Sequence, residues 1–320
     1  MSHWCWETDG AGGSAPRTID RDGTRAPSQG FVWCHLDGRD AAERGWLESE
    51  SGLAPGVISA LTAAETRPRA ETIGKGALVN LRGLGALTDE DADPLVSIRL
   101  WAERGRVVSV GFRHLAASDT VREQMQAGKI HDPGDLIAAL AMTITETLDP
   151  VVAAMGDSID TCEADLDPNR VFALRRLIAR TRSDAIQYRR FVMPQRQALE
   201  RLASLDADWL EEDDRLHLRD AADRFARMAE ELEAVRERSA LLHEQLTDLR
   251  AEQIDTRTLI LSIVALVFLP LTFLTGLLGM NVKGIPYAEE PWAFWGVVGV
   301  CVALSVAITA YFLRKHWFRG

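Results

Sequence analysis

The sequence predicts an α/β (α+β) soluble domain whose last helix is a long stalk running into a two-helix transmembrane hairpin. Three observations predict this. Charged residues are concentrated before residue 258 and apolar residues after it. Two uncharged runs, 258–279 and 292–313, stand nearly back to back. Short β-like runs mix with helical patterns in the first half, and helical patterns continue alone from about Asp135.

Residues 1–30 are rich in Gly, Ser, Thr, Pro, Asp and Arg, a composition that predicts a disordered tail. Residues 31–206 form the predicted soluble domain. Its β-like runs are Phe31 to Leu36, Gly76 to Leu81, Leu95 to Trp101 and Val107 to Phe112, and its first helical patterns are Ala41 to Ser49 and Ala54 to Ala63. Breaks in the helical half are expected at Asp167-Pro168 and near Pro194.

Residues 207–257 read as the stalk helix. Phe225, Met228, Leu232, Val235, Ser239, Leu242, Leu246 and Leu249 recur at three and four, a coiled-coil-like seam surrounded by charge. The stalk leads into the first span, 258–279. A loop, 280–291, joins it to the second span, 292–313, and a basic tail, 314–320, follows. Each run is long enough to cross a hydrocarbon layer of roughly 30 Å at about 1.5 Å per residue. Aromatic residues mark the ends: Trp292 and Trp295 on one side, Tyr311, Trp317 and Phe318 on the other. Arg250, Arg257, Arg314, Lys315 and Arg319 flank the pair of runs, which predicts cytoplasmic termini and an outer loop.

The first span carries a directional pattern. Asp255, Thr258, Ser262, Ala265, Leu269, Thr272, Gly276 and Gly279 share one helical face. All but Leu269 are small or polar. Two readings stay open: close helix packing through small residues, or the lining of a pore. In the second, Leu269 is the hydrophobic constriction, and Pro270 removes one backbone hydrogen bond beside it. Asp248 and Glu252 precede the stripe, and Glu289 and Glu290 lie in the loop, where carboxylates would attract cations. Two helices cannot enclose water, so conduction would require several copies of the chain. Cys301, Ser305 and Thr309 share one face of the second span and read as packing.

Composition excludes several alternatives. The net charge of −11 argues against nucleic acid as partner. Cys5, Cys34, Cys162 and Cys301 are scattered without a C-x-x-C pair, which predicts a reducing compartment and no disulfide. The start of the chain has no basic-apolar leader pattern, so the soluble part is expected in the cytoplasm. The seven histidines never fall at ligand spacing, so zinc is not derivable from ligand chemistry and the metal sites of the soluble part stay unknown at this point. Phosphate-loop, dinucleotide and hydrolase motifs are missing, which argues against an ATP-driven pump or an enzyme.

The segment from Phe268 to Asn281, FLPLTFLTGLLGMN, resembles the first transmembrane helix of the CorA metal-ion transporter family. The Gly279-Met280-Asn281 triplet ends an apolar span and precedes a short loop and a second span, as in that family. Val282 to Pro286 is similar to the zinc-transporting ZntB branch, as are the segments Glu65 to Arg69, Leu78 to Leu84 and Leu95 to Val110. Lys283 departs from the branch, which commonly has Gly there. The resemblance implies a funnel-shaped homopentamer in the inner membrane, contacting lipid, with Gly279, Met280 and Asn281 as selectivity filter. It implies no permanently bound cofactor and transport of divalent cations, Zn²⁺ first, with Mg²⁺, Co²⁺, Ni²⁺ and Cd²⁺ as further candidates, possible coupling to protons included. By residue chemistry alone, Asn281 fits either a helix C-cap or a ring of amides meeting a hydrated ion. A Mg²⁺/Co²⁺ channel driven by membrane potential and a membrane-anchored sensor are the competing readings.

Overall fold

The computed structural model describes residues 4–18, 26–64, 67–86, 93–167, 170–280, 284, 285, 287 and 289–314. Asn281, Lys283, Glu65 and the tail beyond Arg314 therefore lie outside the described residues. Two compact units form: Met1–Leu166 with Phe172–His243, and Asp167–Val171 with Glu244–Gly320.

In chain order the elements are β1 (Trp4–Thr8), β2 (Ser14–Arg17), β3 (Phe31–Asp37), α1 (Ala41–Ser49), α2 (Pro55–Leu61), β4 (Arg69–Ile73), β5 (Gly76–Leu84), β6 (Leu95–Glu103), β7 (Arg106–Gly111), α3 (Ala116–Gln126), α4 (Pro133–Ala164), α5 (Val171–Ala203), α6 (Glu212–Leu278) and α7 (Ala293–Arg314). The strands form one sheet in the order β2-β1-β3-β7-β6-β5-β4. β3 and β7 run parallel and every other pairing is antiparallel. The β4–β5 and β6–β7 hairpins turn at Gly74 (φ 62°) and Gly105 (φ 75°), a backbone conformation that glycine adopts without strain.

Both sheet faces are covered, which is why β3, β5, β6 and β7 read as nearly continuous apolar runs. On one face Leu36, Leu78, Trp101, Val108 and Val110 pack with Trp46 and Leu47 of α1 and Val57 and Leu61 of α2. On the other, α3 and α4 pack against β5. Asp40 caps α1 by accepting from the Ala42 and Glu43 amides, and Asp132 caps α4 with Pro133 in its first turn. The edge of β5 beyond β4 is closed by a side chain: Gln195 of α5 accepts from the Arg82 amide at 2.7 Å and donates to the Arg82 carbonyl at 2.9 Å.

The structure corrects several expectations. Within 1–30, residues 4–8 and 14–17 are strands, so the sheet begins well before residue 31. Their polar composition concealed an edge hairpin, in which Pro16 is tolerated because an edge strand leaves some amides unused. Cys5 and Cys34 form a disulfide. They are register partners on β1 and β3, with Cα atoms 4.1 Å apart, a proximity that sequence separation hides. The chain does break between α4 and α5, around the expected Asp167, but α5 runs unbroken through Pro194. The last soluble helix begins at Glu212 rather than 207, because Trp209 and Leu210 are buried before it starts.

Candidate cation pathway

α6 is one helix of 67 residues that contains both the charged range and the first apolar run. Its hydrophobic seam behaves as periodicity predicts: Phe225, Met228, Leu232, Val235, Ser239, Leu242 and Leu246 are all buried, and Leu249 is half-buried. Ser239 fits there because its hydroxyl donates back to the Val235 carbonyl at 2.6 Å.

Among the described residues three helices are long and apolar enough to cross a membrane. They differ in what covers them. The most apolar stretch of Pro133–Ala164 is 56% buried, as befits a core helix of the soluble unit. The corresponding stretches of α6 and α7 are 0% buried. Apolar helices without protein cover need another apolar surrounding.

Asp248, Glu252, Asp255, Thr258, Ser262, Ala265, Leu269, Thr272 and Gly276 all lie on α6, and all are exposed. Gly279 and Met280 follow its end, where the Gly279 amide donates to the Thr275 carbonyl at 2.9 Å. Glu289 and Glu290 are exposed just before α7, and the Glu290 carbonyl accepts from the Ala293 amide that opens it. From Asp255 to Gly276 the stripe extends about 32 Å at 1.5 Å per residue. One chain brings these groups into a line, not into a cluster.

The half-buried positions of α6 in the same stretch are Leu259, Ile263, Val267, Pro270, Leu271, Leu274 and Leu278. They recur at helical spacing on the face roughly opposite the stripe. On α7 the half-buried set includes Ala293, Val297, Cys301, Ser305, Ile308 and Phe312, while Thr309 is exposed. Intrachain packing in this unit therefore uses Leu, Ile and Val positions of α6, and the small and hydroxylated face is left uncovered.

The hydroxyls have a common geometry. Thr258 donates to the Ile254 carbonyl, Ser262 to Thr258 and Thr272 to Phe268, each at 2.8 Å, and Thr275 to Leu271 at 2.9 Å. Each proton is thus used within the helix, and the oxygen lone pairs remain as acceptors. A hydrated cation presents the hydrogens of its water shell, so acceptors on the stripe suit it. Thr275 flanks the stripe and was not among the residues that spacing selected.

Sequence spacing also missed a carboxylate group in the soluble unit. Asp132, Asp135 and Asp214 place oxygens within 4.8 Å of one another. Each caps a chain turn: Asp132 accepts from the Gly134 and Asp135 amides, Asp135 from the His131 amide, and Asp214 from the Glu211 amide. Asp214 is buried, and burial together with the other carboxylates pushes its acid up to about 7. Asp132 is displaced upward mainly by burial.

A family model described as CorA-like Mg²⁺ transporter protein matches residues 28–315. The chain is 33% identical over 322 residues to the zinc transport protein ZntB of Klebsiella pneumoniae, covering 98% of this chain and 95% of that one. It is 30% identical over 313 residues to the ZntB of Pectobacterium atrosepticum, covering 98% and 94%. Among solved structures, full-length CmaX matches with a TM-score of 0.79 at 30% identity, over 98% of this chain and 97% of that one. The CorA magnesium transporter of Methanocaldococcus jannaschii matches with a TM-score of 0.81 at 16% identity, over 99% of each chain, which is a likeness of fold. The family match spans nearly the whole chain, including α6, the Gly279-Met280-Asn281 triplet and α7: the chain belongs to the CorA-like transporter family.

Proposed function

We propose that several copies of this chain, a pentamer as the family resemblance implies, assemble around α6 and carry divalent metal cations, Zn²⁺ first, across the inner membrane. The observation that carries the reading is the uncovered stripe of α6. Its acceptor oxygens and its carboxylate are of no use against lipid, and they are not used in packing within the chain. Copies arranged with this face inward would wet it.

The roles follow from chemistry. Asp248, Glu252 and Asp255 concentrate cations at the cytoplasmic mouth, and Glu289 and Glu290 do so at the outer one. Thr258, Ser262 and Thr272 accept from the water shell of the passing ion. Leu269, 76% exposed, forms a ring that closes by dewetting. Gly279, Met280 and Asn281 form the outer filter, the amide oxygens meeting an ion that keeps its waters. An amide ring holds a divalent ion less tightly than a carboxylate ring, which favours release. Both termini are cytoplasmic in this arrangement, and the apolar faces of α6 and α7 contact lipid. Chemical catalysis and a resident cofactor have no part in it.

The test is flux into proteoliposomes from purified protein. Zn²⁺ flux above Mg²⁺ flux, lost in Asn281→Ala at unchanged oligomer size, is the expected result. Mg²⁺ flux driven by potential alone would favour the magnesium reading that the family model's description supports. At about 2.3 kcal/mol per charge per 100 mV, a divalent ion gains about 4.6 kcal/mol on entry. A monomeric protein in detergent, or a folded oligomer without flux, would sink the proposal.

A further inference from the structure

The sheet face that carries α1 and α2 changes character past the end of α2. There Asn80 and Arg82 of β5 stand opposite Arg99 and Ser97 of β6 in register. Arg82, Ser97 and Arg99 of this patch line a cavity of about 550 Å³, whose walls also carry Arg67, Arg113, Arg190 and Asp93. Among the described residues five arginines line it against one aspartate, in a chain whose net charge is −11.

Asp93 cannot neutralise them. One of its oxygens is held by Arg82, and the other accepts from the Leu95 amide at 3.0 Å and from Gln187 at 3.3 Å. Arg113 donates to the Asp93 backbone carbonyl at 2.6 Å rather than to its carboxylate. Arg99 is the key member. It is 3% exposed, donates to the Ala64 carbonyl at 3.2 Å, and lies over the Phe112 ring at 4.6 Å. Among the described residues its buried Nε has no hydrogen-bond partner, nor has the Nε of Arg82. Burial and the nearby Arg82 lower the Arg99 acid to about 10, which leaves it cationic at neutral pH. A buried, unpaired guanidinium costs free energy unless an anion joins it.

We propose that this cavity binds a small anion bearing two or more adjacent phosphoryl groups. The guanidinium fork matches phosphoryl oxygens two at a time, and the charge excess calls for a polyanion. Arg82 is backed by the Phe191 ring at 3.7 Å and Arg99 by Phe112, so both forks are held in fixed planes. The volume falls within the range of small-molecule sites, about 300–1,000 Å³, and exceeds what a single orthophosphate fills. This site is separate from the pathway, and its occupancy is read without any flux.

The experiment is calorimetric titration of the full-length protein in detergent with pyrophosphate, with ATP in EDTA, and with orthophosphate. Saturable binding of pyrophosphate and ATP, each displacing the other, is expected, with orthophosphate at least about tenfold weaker. Equal affinities mean that only phosphoryl groups are recognised; tighter ATP adds a nucleoside contact. Arg99→Gln should weaken binding at least about tenfold. Arg190→Glu, at an exposed wall position that leaves the core intact, should do the same if the first variant folds poorly. The proposal is overturned by no saturation up to about 10 mM, by affinities that neither substitution changes, or by an oligomer map with a neighbouring protomer's carboxylate on Arg99.

Discussion

His35 and Asp214 are two buried titratable groups of the soluble unit, and they pull stability in opposite directions with pH. His35 packs inside the sheet region with Nδ1 2.9 Å from the Ser109 hydroxyl, which also accepts from Trp33 at 2.9 Å. Burial, then the charge of His114, lowers its acid from 6.5 to about 4. The native state keeps it neutral while the unfolded chain takes up a proton below about pH 6.5. Stability therefore falls as pH drops from about 6.5 to 4, by roughly 3 kcal/mol at full effect. Asp214 does the reverse. Its native acid near 7 against 3.8 unfolded means that the folded chain holds the extra proton, so stability falls as pH rises from about 4 to 7. Over the shared window the two slopes offset each other. Asp214→Asn keeps an acceptor for the Glu211 amide and removes one slope. The variant should melt higher than the parent above pH 7, by an amount on the order of 4 kcal/mol at most, and lose more stability between pH 7 and 5. Thermal melting at the two pH values decides it; parallel curves would refute the assignment.

Elements were legible where a period had a single cause. The α6 seam and strands β3, β5, β6 and β7 were readable because burial alone selects their apolar positions. Strands β1, β2 and β4 were not. They are short and only partly buried, so pairing rather than burial holds them, and pairing is a non-local property. The break expected at Pro194 failed for a related reason. Tertiary contacts on both sides, among them the Gln195 amide against Arg82, outweigh one missing helix hydrogen bond. Gln195→Leu leaves both backbone groups of Arg82 without that partner, in a residue 1% exposed. The expected loss is about 2–4 kcal/mol, read as a lower melting temperature of the soluble unit. Leu232→Ala, in the buried seam, should cost about 2–5 kcal/mol in the same assay. A loss under 0.5 kcal/mol for either would mean that the site relaxes around the change.

At the scale of the whole molecule, the pathway was legible as a stripe but not as a site. Spacing placed Thr258, Ser262 and Thr272 on one face, and the structure shows that packing within the chain uses the face roughly opposite. The arginine cavity was invisible, since its walls come from β5, β6, α5 and three loops far apart in sequence. The stripe makes a demand that packing does not. Thr272→Val preserves shape and removes one acceptor oxygen per protomer. Each lost acceptor is worth about 0.5–1.5 kcal/mol, and the loss repeats in every copy around the axis, so flux should fall by about tenfold or more at unchanged oligomer size. Ser305→Ala removes a hydroxyl from the half-buried face of α7, where the proton already serves the Cys301 carbonyl at 2.9 Å, and flux should stay within about twofold. Leu269→Ala widens the hydrophobic constriction and should raise leak in the closed state. If Thr272→Val and Ser305→Ala affected flux alike, the face that packing leaves open would have no special part in conduction, and the ion would have to cross along some other surface of the assembly.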